Sequence, residues 1–432
     1  MSYATTYSPR VRVLIKDLET AQVLYDISDD LTSISTNKAY GRCSGTWQLM
    51  LAYREYSLVP SQMVTIEKDA GDGAGYLPVM CGMVDRVSRV KQGGPVPQRA
   101  VKVSGRDMGK LLETHDVAFD IIAYNRQIAT QEPGKVQSVT AMSRTFNPQI
   151  TMGTPAEIIN SAFEICLHDM LKTTKRIAFV SDCNDSSKIH QPQLATTQGT
   201  SFWQFIKGVE HHPFNVLTTD TTLGDVNAFK VVLEKFPFNG ETGRLERPVD
   251  QWHTIGETEI ITEDLGAGDQ ERINFTSYQP LIFPQAKIME YDVMMAHPDL
   301  SRLDDGSVRQ YGLSVQVFRD PFTPPELEGI HDADQGRKLA ALNTAKGMAS
   351  TLWNWYRNNH TYESGTVTVH LRPDIRVGSG LLIRQPDGTY KEYLIEQVAH
   401  QCIFHPQPSF QTTLHLTRGQ KAAPGNAEKA KP

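Results

Sequence analysis

Glu210, His211 and His212 stand together. A carboxylate beside two imidazoles is a first candidate for a metal or an acid–base pair. The spacing argues against it. No HExxH pattern and no cysteine accompanies them, and adjacent residues at a helix end point in different directions. They are expected to be capping or surface histidines. His400 and Cys402 fall two apart on one strand face, where a nucleophile and its base could meet. No Asn or Asp is placed beside them by sequence, so two side chains sharing a strand face is the reading. Gly71-Asp72-Gly73-Ala74-Gly75 resembles a phosphate loop. It is GxGxG rather than GxGxxG, lacks GK[ST] and leads into a Pro-bearing strand, which makes it a hairpin tip. Asp29-Asp30, Asp304-Asp305, Glu326 and Glu328 are carboxylates in solvated turns, with nothing to hold two of them across a cleft. GxSxG is absent. Trp353, Trp355 and Tyr356 lie on one helix, where Trp353 and Tyr356 are expected to dock it.

No catalytic residue, cofactor site or metal site assembles from these motifs. That favours a structural or interaction protein over an enzyme. Composition agrees with a folded, multidomain chain. There are 432 residues, 39% hydrophobic and 21% charged, with Gly 31 and Pro 24, which excludes disordered and collagen-like classes. Lys+Arg 43 against Asp+Glu 49 gives a net charge of −6, without the basic footprint of a general nucleic-acid binder. No apolar run approaches the roughly 18 residues of a membrane span. The first residues show no secretory signal, so a cytoplasmic site of synthesis is expected. Cys43, Cys81, Cys166, Cys183 and Cys402 are scattered without CxxC spacing and are expected to be reduced thiols.

The elements that carry these residues change along the chain. Period-2 segments at 11–16, 45–53, 63–68, 79–90 and 99–107 predict short strands, followed by a helix at 108–115. Residues 125–154 read as a loop. Thr154-Pro155 then starts an amphipathic helix, and Thr200 to His211 form a second. Strands are expected near 214–220, 229–236, 258–265 and 287–295. The longest helix runs from about Asp332 to Asn358, with Leu342, Ala345, Ala349, Leu352 and Tyr356 on one seam. Four strands follow it, two of them joined by the Gln385-Pro386-Asp387-Gly388 turn. The predicted fold class is α+β and β-rich: two small antiparallel barrels, a mixed middle region and a long helix. The expected domains are 1–115, a barrel; 116–330, an α+β middle; 331–420, the long helix and second barrel; and 421–432, a flexible tail. A faint echo links the two ends. Val84, Val87 and Val103 match Ile395, Val398 and Leu414 at a constant separation of 395 − 84 = 311 positions.

The C-terminal stretch YLIEQVAHQCIFHPQPSFQTTLHLTRG resembles the closing hairpin of the phage tail and baseplate hub family, which includes late-control proteins. Val398, His400, Phe410, Thr412, Thr413, Leu414, Leu416, Thr417, Arg418 and Gly419 carry the match. Upstream, RPDIRVGSGLLI resembles the family's turn into that hairpin through Gly378, with Ser379 where Asp is usual. A middle segment is similar through Trp203, Phe205, Pro213, Phe214, Asn215, Pro237 and Phe238. Glu234 and Lys235 stand where the family carries an Arg. VSGRD (103–107) resembles the exit from its first barrel.

The resemblance implies a non-enzymatic homotrimer. Two similar barrels per chain would make a pseudo-sixfold ring joining a hexameric tail tube, or tube initiator, to a trimeric central spike. Tape-measure protein and baseplate wedge are further implied partners. DNA would pass in transit only, and the place would be the virion tail, assembled in the host cytoplasm. Two other classes stay open: a hub-associated peptidoglycan-degrading enzyme, and a cell-wall or carbohydrate-binding module.

Overall fold

The computed structural model describes residues 9–52, 56–69, 75–92, 98–115, 152–168, 177–183, 185–190, 201–221, 229–268, 271–280, 298–320, 322–323, 335–405 and 407–428. The chain opens with seven strands: β1 (Arg10–Lys16), β2 (Val23–Asp26), β3 (Leu31–Ala39), β4 (Thr46–Ala52), β5 (Met63–Asp69), β6 (Leu77–Gln92) and β7 (Gln98–Asp107). Helix α1 (Gly109–Thr114) follows. The middle carries β8 (Met152–Gly153), α2 (Pro155–Ala162), β9 (Ile177–Ser181), β10 (Lys188–His190), α3 (Phe202–Gly208), β11 (Asn215–Thr221) and β12 (Phe229–Lys235). Next come β13 (Trp252–Ile255), β14 (Ile260–Ala267), β15 (Phe275–Pro280), β16 (Ser301–Leu303), α4 (Asp305–Tyr311), β17 (Val315–Asp320) and β18 (Phe322–Thr323). The long helix α5 (Gln335–Tyr356) leads to β19 (Glu363–His370), β20 (Gly380–Arg384), β21 (Tyr390–Ile403), β22 (Ser409–Lys421) and the short α6 (Pro424–Ala427).

The N-terminal strands pair in the order β3-β4-β7-β6-β5-β1-β2. β2 and β3 are thus the two ends of the array, yet only residues 27–30 separate them in sequence. The array must curl until its ends nearly meet. Alternate side chains from β1, β3, β4, β5, β6 and β7, among them Val13, Ile34, Leu49, Ile66, Val84 and Val103, form one interior core. The C-terminal strands repeat the device in the order β14-β19-β22-β21-β20-β13. Residues 256–259 join β13 to β14, and Ile255, Val367, Ile383, Ile395 and Leu414 fill the core. Among the described residues no strand pairing joins β2 to β3 or β13 to β14, and each array is described as a curled sheet.

The two curled sheets share their register. Val84–Gly105 and Val87–Val103 face each other across β6 and β7. Ile395–Leu416 and Val398–Leu414 do so across β21 and β22, at the same 311-position separation. A bulge sits between Val84 and Arg86 in one hairpin and between Ile395 and Gln397 in the other. The neighbours match too. Leu49 faces Val103 as Val367 faces Leu414. β3 is bulged between Leu31 and Ser33, and β14 between Ile260 and Thr262. Bulges are specific backbone features; two at equivalent places in both sheets make the repeat a structural one. The second sheet lacks a β1, so β13 lies directly beside β20, parallel to it, as β2 is to β5 in the first.

The sheets are joined edge to edge. β21 is fourteen residues long. Its first half pairs with β20, and beyond the bulge Gln397 to Ile403 pair antiparallel with Ala39 to Ser33 of β3. One thirteen-stranded sheet results. Three small sheets and α5 pack beside it. On α5 the buried anchor is Trp355 and not Trp353; its indole N–H donates to the Asn239 carbonyl at 3.1 Å. The tail is anchored further than its composition predicts. Asn426 is buried in α6 and donates to the Leu245 carbonyl and to Glu392. The capped helix start holds as read: Thr154 and Glu157 form a capping box with Pro155 at the first turn. The 71–74 glycine segment, most of the 125–154 loop and the strand expected at 287–295 lie outside the described residues, as do Glu326, Glu328 and residues 429–432.

Leu414 is fully buried at the centre of the second core. Leu414→Ala removes methyl groups from a packed site and is expected to cost about 2–5 kcal/mol of stability. Urea unfolding followed by fluorescence checks this; a midpoint unchanged within error would refute the placement.

Candidate functional site

The C-terminal signature residues meet on the β21–β22 hairpin. Val398, Leu414 and Leu416 point into the second core. His400 shares a hydrogen bond with Thr412 at 2.9 Å, and both are buried. Thr412 also accepts from the Arg372 N–H at 2.9 Å, and Thr413 pairs with Thr368. Burial pushes the His400 imidazole pKa well down, with nearby Lys68 and Arg376 adding to the effect, so it is neutral at pH 7. Cys402 lies on the same inward face, and burial pushes its thiol pKa up. A neutral imidazole tied to a threonine, beside a protonated thiol, is a packed pair and not a nucleophile with its base. Phe410 packs edge-on to Phe404.

Thr417, Arg418 and Gly419 turn the strand over the middle region. Arg418 has φ +57, where few non-glycine residues sit. Its guanidinium lies over Phe238 at 4.3 Å and Tyr356 at 5.2 Å, and donates to the Trp355 carbonyl at 2.7 Å. Arg418 therefore fastens the second sheet to Pro237-Phe238 and to α5. Gly419 leaves room for Tyr393, whose ring a Cβ would meet at 2.1 Å. Gly378, at φ +77, passes against the Tyr40 ring. Tyr40 ends the connection between the sheets. Its hydroxyl donates to Glu234, which also takes a bidentate pair from Arg247 at 2.8 and 3.1 Å. Glu234 thus anchors this corner through Arg247, from a region where the resembled family carries an Arg.

The middle signature residues divide between two further cores, Trp203 and Phe205 in one and Phe214 and Phe238 in the other. Trp203 and Phe205 are buried on α3, which Ser201 caps. Pro213 and Asn215 flank half-buried Phe214, whose ring lies tilted against Trp355 at 5.8 Å. His212 is exposed, but His211 is not a surface residue. It is buried with φ +63 and bonded to Asp185 on one side and Asp320 on the other, the latter at 2.9 Å. Asn215 donates to Asp185 at 2.8 Å, and the Tyr278 hydroxyl donates to Asp320. Burial alone would lower the imidazole pKa, but the two carboxylates outweigh it and push it up to about 9. The imidazolium is a brace between segments 26 and 109 positions away. No cluster of metal-ligating side chains occurs among the described residues.

The buried signature residues are thus spread over three cores, with Arg418 as a strap, and they do not converge on a pocket. The described surface that stands out was not singled out from sequence: the free edges of β14 and of the outer half of β6. Their signal in sequence is charge on strands, Arg86, Arg89 and Lys91 against Glu263 and Asp264.

His211, facing Asp185 and Asp320 with Tyr278 behind, has its folded pKa raised above the ordinary 6.5. Its stabilising contribution is complete below that value and is lost as the pH rises through about 9. Wild-type melting temperature should therefore fall between pH 7 and pH 10. His211→Gln should melt lower at pH 7 and show a flatter decline. Parallel pH curves for the two proteins would exclude the brace.

No family model matches the chain, and no curated protein matches it. Solved structures do. The 43 kDa tail protein of prophage MuSo2 from Shewanella oneidensis superposes with a TM-score of 0.52 at 12% identity, covering 95% of this chain and 98% of that one. The tail protein from Neisseria meningitidis MC58 gives 0.51 at 12% identity, covering 99% and 100%. A component of the Escherichia coli type VI secretion system gives 0.36 at 7% identity over 93% and 75%, too loose a likeness to carry an argument. At these identities the common property is the fold, and this chain has the fold of the two tail proteins.

Proposed function

We propose that this chain is a structural component of a phage or phage-like contractile tail, and within it the baseplate hub. In this role it is a homotrimer, built from barrel-like domains at 1–115 and 331–420 around the 116–330 middle, with β13 and β14 completing the second. Three chains carry six near-equivalent curled sheets. They meet a hexameric tube or its initiator on one face and a trimeric spike on the other. Tape-measure protein and wedge are neighbours, and DNA passes through the channel in transit. The protein works by binding and force transmission, without catalysis, as part of the virion.

The observation that supports this reading is the duplicated register with its duplicated bulges. A cyclic trimer of single sheets has threefold contacts only; two matched sheets per chain supply a pseudo-sixfold set. The fold shared with two tail proteins points the same way. The interior chemistry agrees, since His400, Cys402 and His211 are spent on packing and bracing.

Light scattering on the purified chain, alone and with the neighbouring spike protein, tests it. One chain is 48.3 kDa, so the trimer is about 145 kDa (3 × 48.3). A trimer in either condition is the expected result. A strict monomer in both would overturn the hub.

A further inference from the structure

Apart from the end strands β2 and β13, each curled sheet has one junction-type edge spent inside the chain and one left over among the described strands. β3, an end strand of the first sheet, pairs with the outer half of β21. β14 is the counterpart of β3, with the same bulge, and on its outer side no described strand pairs with it. β6 is the counterpart of β21. Up to Met83 it pairs with β5, whereas from Arg86 to Gln92 β7 is its one partner among the described strands. The two leftover edges are therefore the same kind of edges that build the internal junction. Both lie open: Arg86, Arg89, Val90 and Lys91 are exposed, as are residues 261–264. Val90 and Ile261 keep 39% and 40% of their surface exposed, apolar residues on unpaired strands. Such an edge is a template for another chain.

We propose that β14 of one chain adds antiparallel to β6 of the next copy, in the register that the β3–β21 junction dictates. The occupant is a second copy of this chain; the hub reading supplies only the number of copies at which the ring closes. Exchanging counterparts in the junction fixes the pairs. His400–Thr36 becomes Arg89–Leu265, Gln401–Ser35 becomes Val90–Asp264, and Cys402–Ile34 becomes Lys91–Glu263. This register was derived from pairing alone, and the charges agree with it. Lys91 falls opposite Glu263, and Arg89 is the diagonal neighbour of the same carboxylate, both favourable cross-strand arrangements. The pairing satisfies the open backbone groups of both edges.

The test is a cysteine pair across the new junction. Directly opposite strand residues stand about 4.5–5.5 Å apart at Cα, within reach of a disulfide. A Val90→Cys chain and an Asp264→Cys chain, mixed, reassembled and gently oxidised, should yield a two-chain species on a non-reducing denaturing gel. A chain carrying both changes should give a covalently closed ring. Arg86→Cys with Asp264→Cys, on the same face but four residues off register, should not link. Light scattering under reducing conditions checks that each variant assembles as the wild type does. Trimers that fail to link through 90 and 264, or link equally through 86, overturn this pairing and leave the hub standing. Linked chains that close at another number keep the pairing and overturn the hub. A wild-type chain that stays monomeric alone and with the spike overturns both.

Discussion

One strand carries the architecture. β21 pairs with β22 along most of its length, while its other edge pairs with β20 in its first half and with β3 of the neighbouring sheet in its second. The bulge between Ile395 and Gln397 is what permits the change. It places one extra residue, Glu396, on the strand and sharpens its local twist. The Glu396 carbonyl is not orphaned, because the Tyr40 N–H at the end of β3 donates to it at 2.7 Å. Everything at the corner then follows from holding Tyr40: Gly378 gives its ring room, Glu234 takes its hydroxyl, and Arg247 locks Glu234. Beyond the bulge the junction is core-like on one face, with Ile34 and Thr36 buried against Cys402 and His400. Lys68 is buried there as well, bonded to Thr36, and burial pushes its ammonium pKa down to about 8.

The strands with clean alternation were legible in the sequence: β1, β4, β5, β6 and β7 lie where the pattern predicts. β2, β3 and β13 were not read. β3 shows why. Its buried residues are Leu31, Ile34 and Thr36, and the bulge after Leu31 shifts the phase by one residue. Period-2 reading fails across such a shift. The repeat was faint in sequence for a different reason. In the first sheet the large ring of Trp47 on β4 lies over Gly105 and Gly82, and a Cβ on either would come within 2.8 Å of it. In the second the matching positions are Gly365, Leu416 and Tyr393. Bulk has moved from one strand to its neighbours while the space filled is similar. Cores tolerate such exchanges if volume and pattern are kept, and identity at matched positions is erased by them.

Long-range polar bracing was illegible for a simpler reason. His211 reads as a surface histidine because its two carboxylates lie far away in the sequence and nothing local marks them. A buried cation needs partners, and the fold supplies them from separate segments. Arg418 behaves alike. Its head is enclosed by Phe236, Phe238, Tyr356 and Tyr362, which lie 56 to 182 positions away in the sequence. The resemblance marked Arg418 and Phe238 as signature residues without saying that they touch. The structure supplies that contact, which ties the second sheet to the middle of the chain.

The open edges explain how two matched sheets avoid indiscriminate pairing. A free strand edge pairs with whatever edge it meets, and charge on the strand is the common restraint. Here the restraint is also selective. The β6 edge carries Arg86, Arg89 and Lys91, and the β14 edge carries Glu263 and Asp264. Two β6 edges repel one another, as do two β14 edges, so a twofold dimer through like edges is disfavoured at either end. Only the unlike pair is attractive, and that contact is heterologous: each copy offers one edge forward and the other back. Heterologous contacts either close into rings or run on as filaments. In the proposed contact the internal β3–β21 junction sets the step from one sheet to the next, and a second junction of the same register repeats it. The proposed assembly would thus reuse a step that the chain already contains.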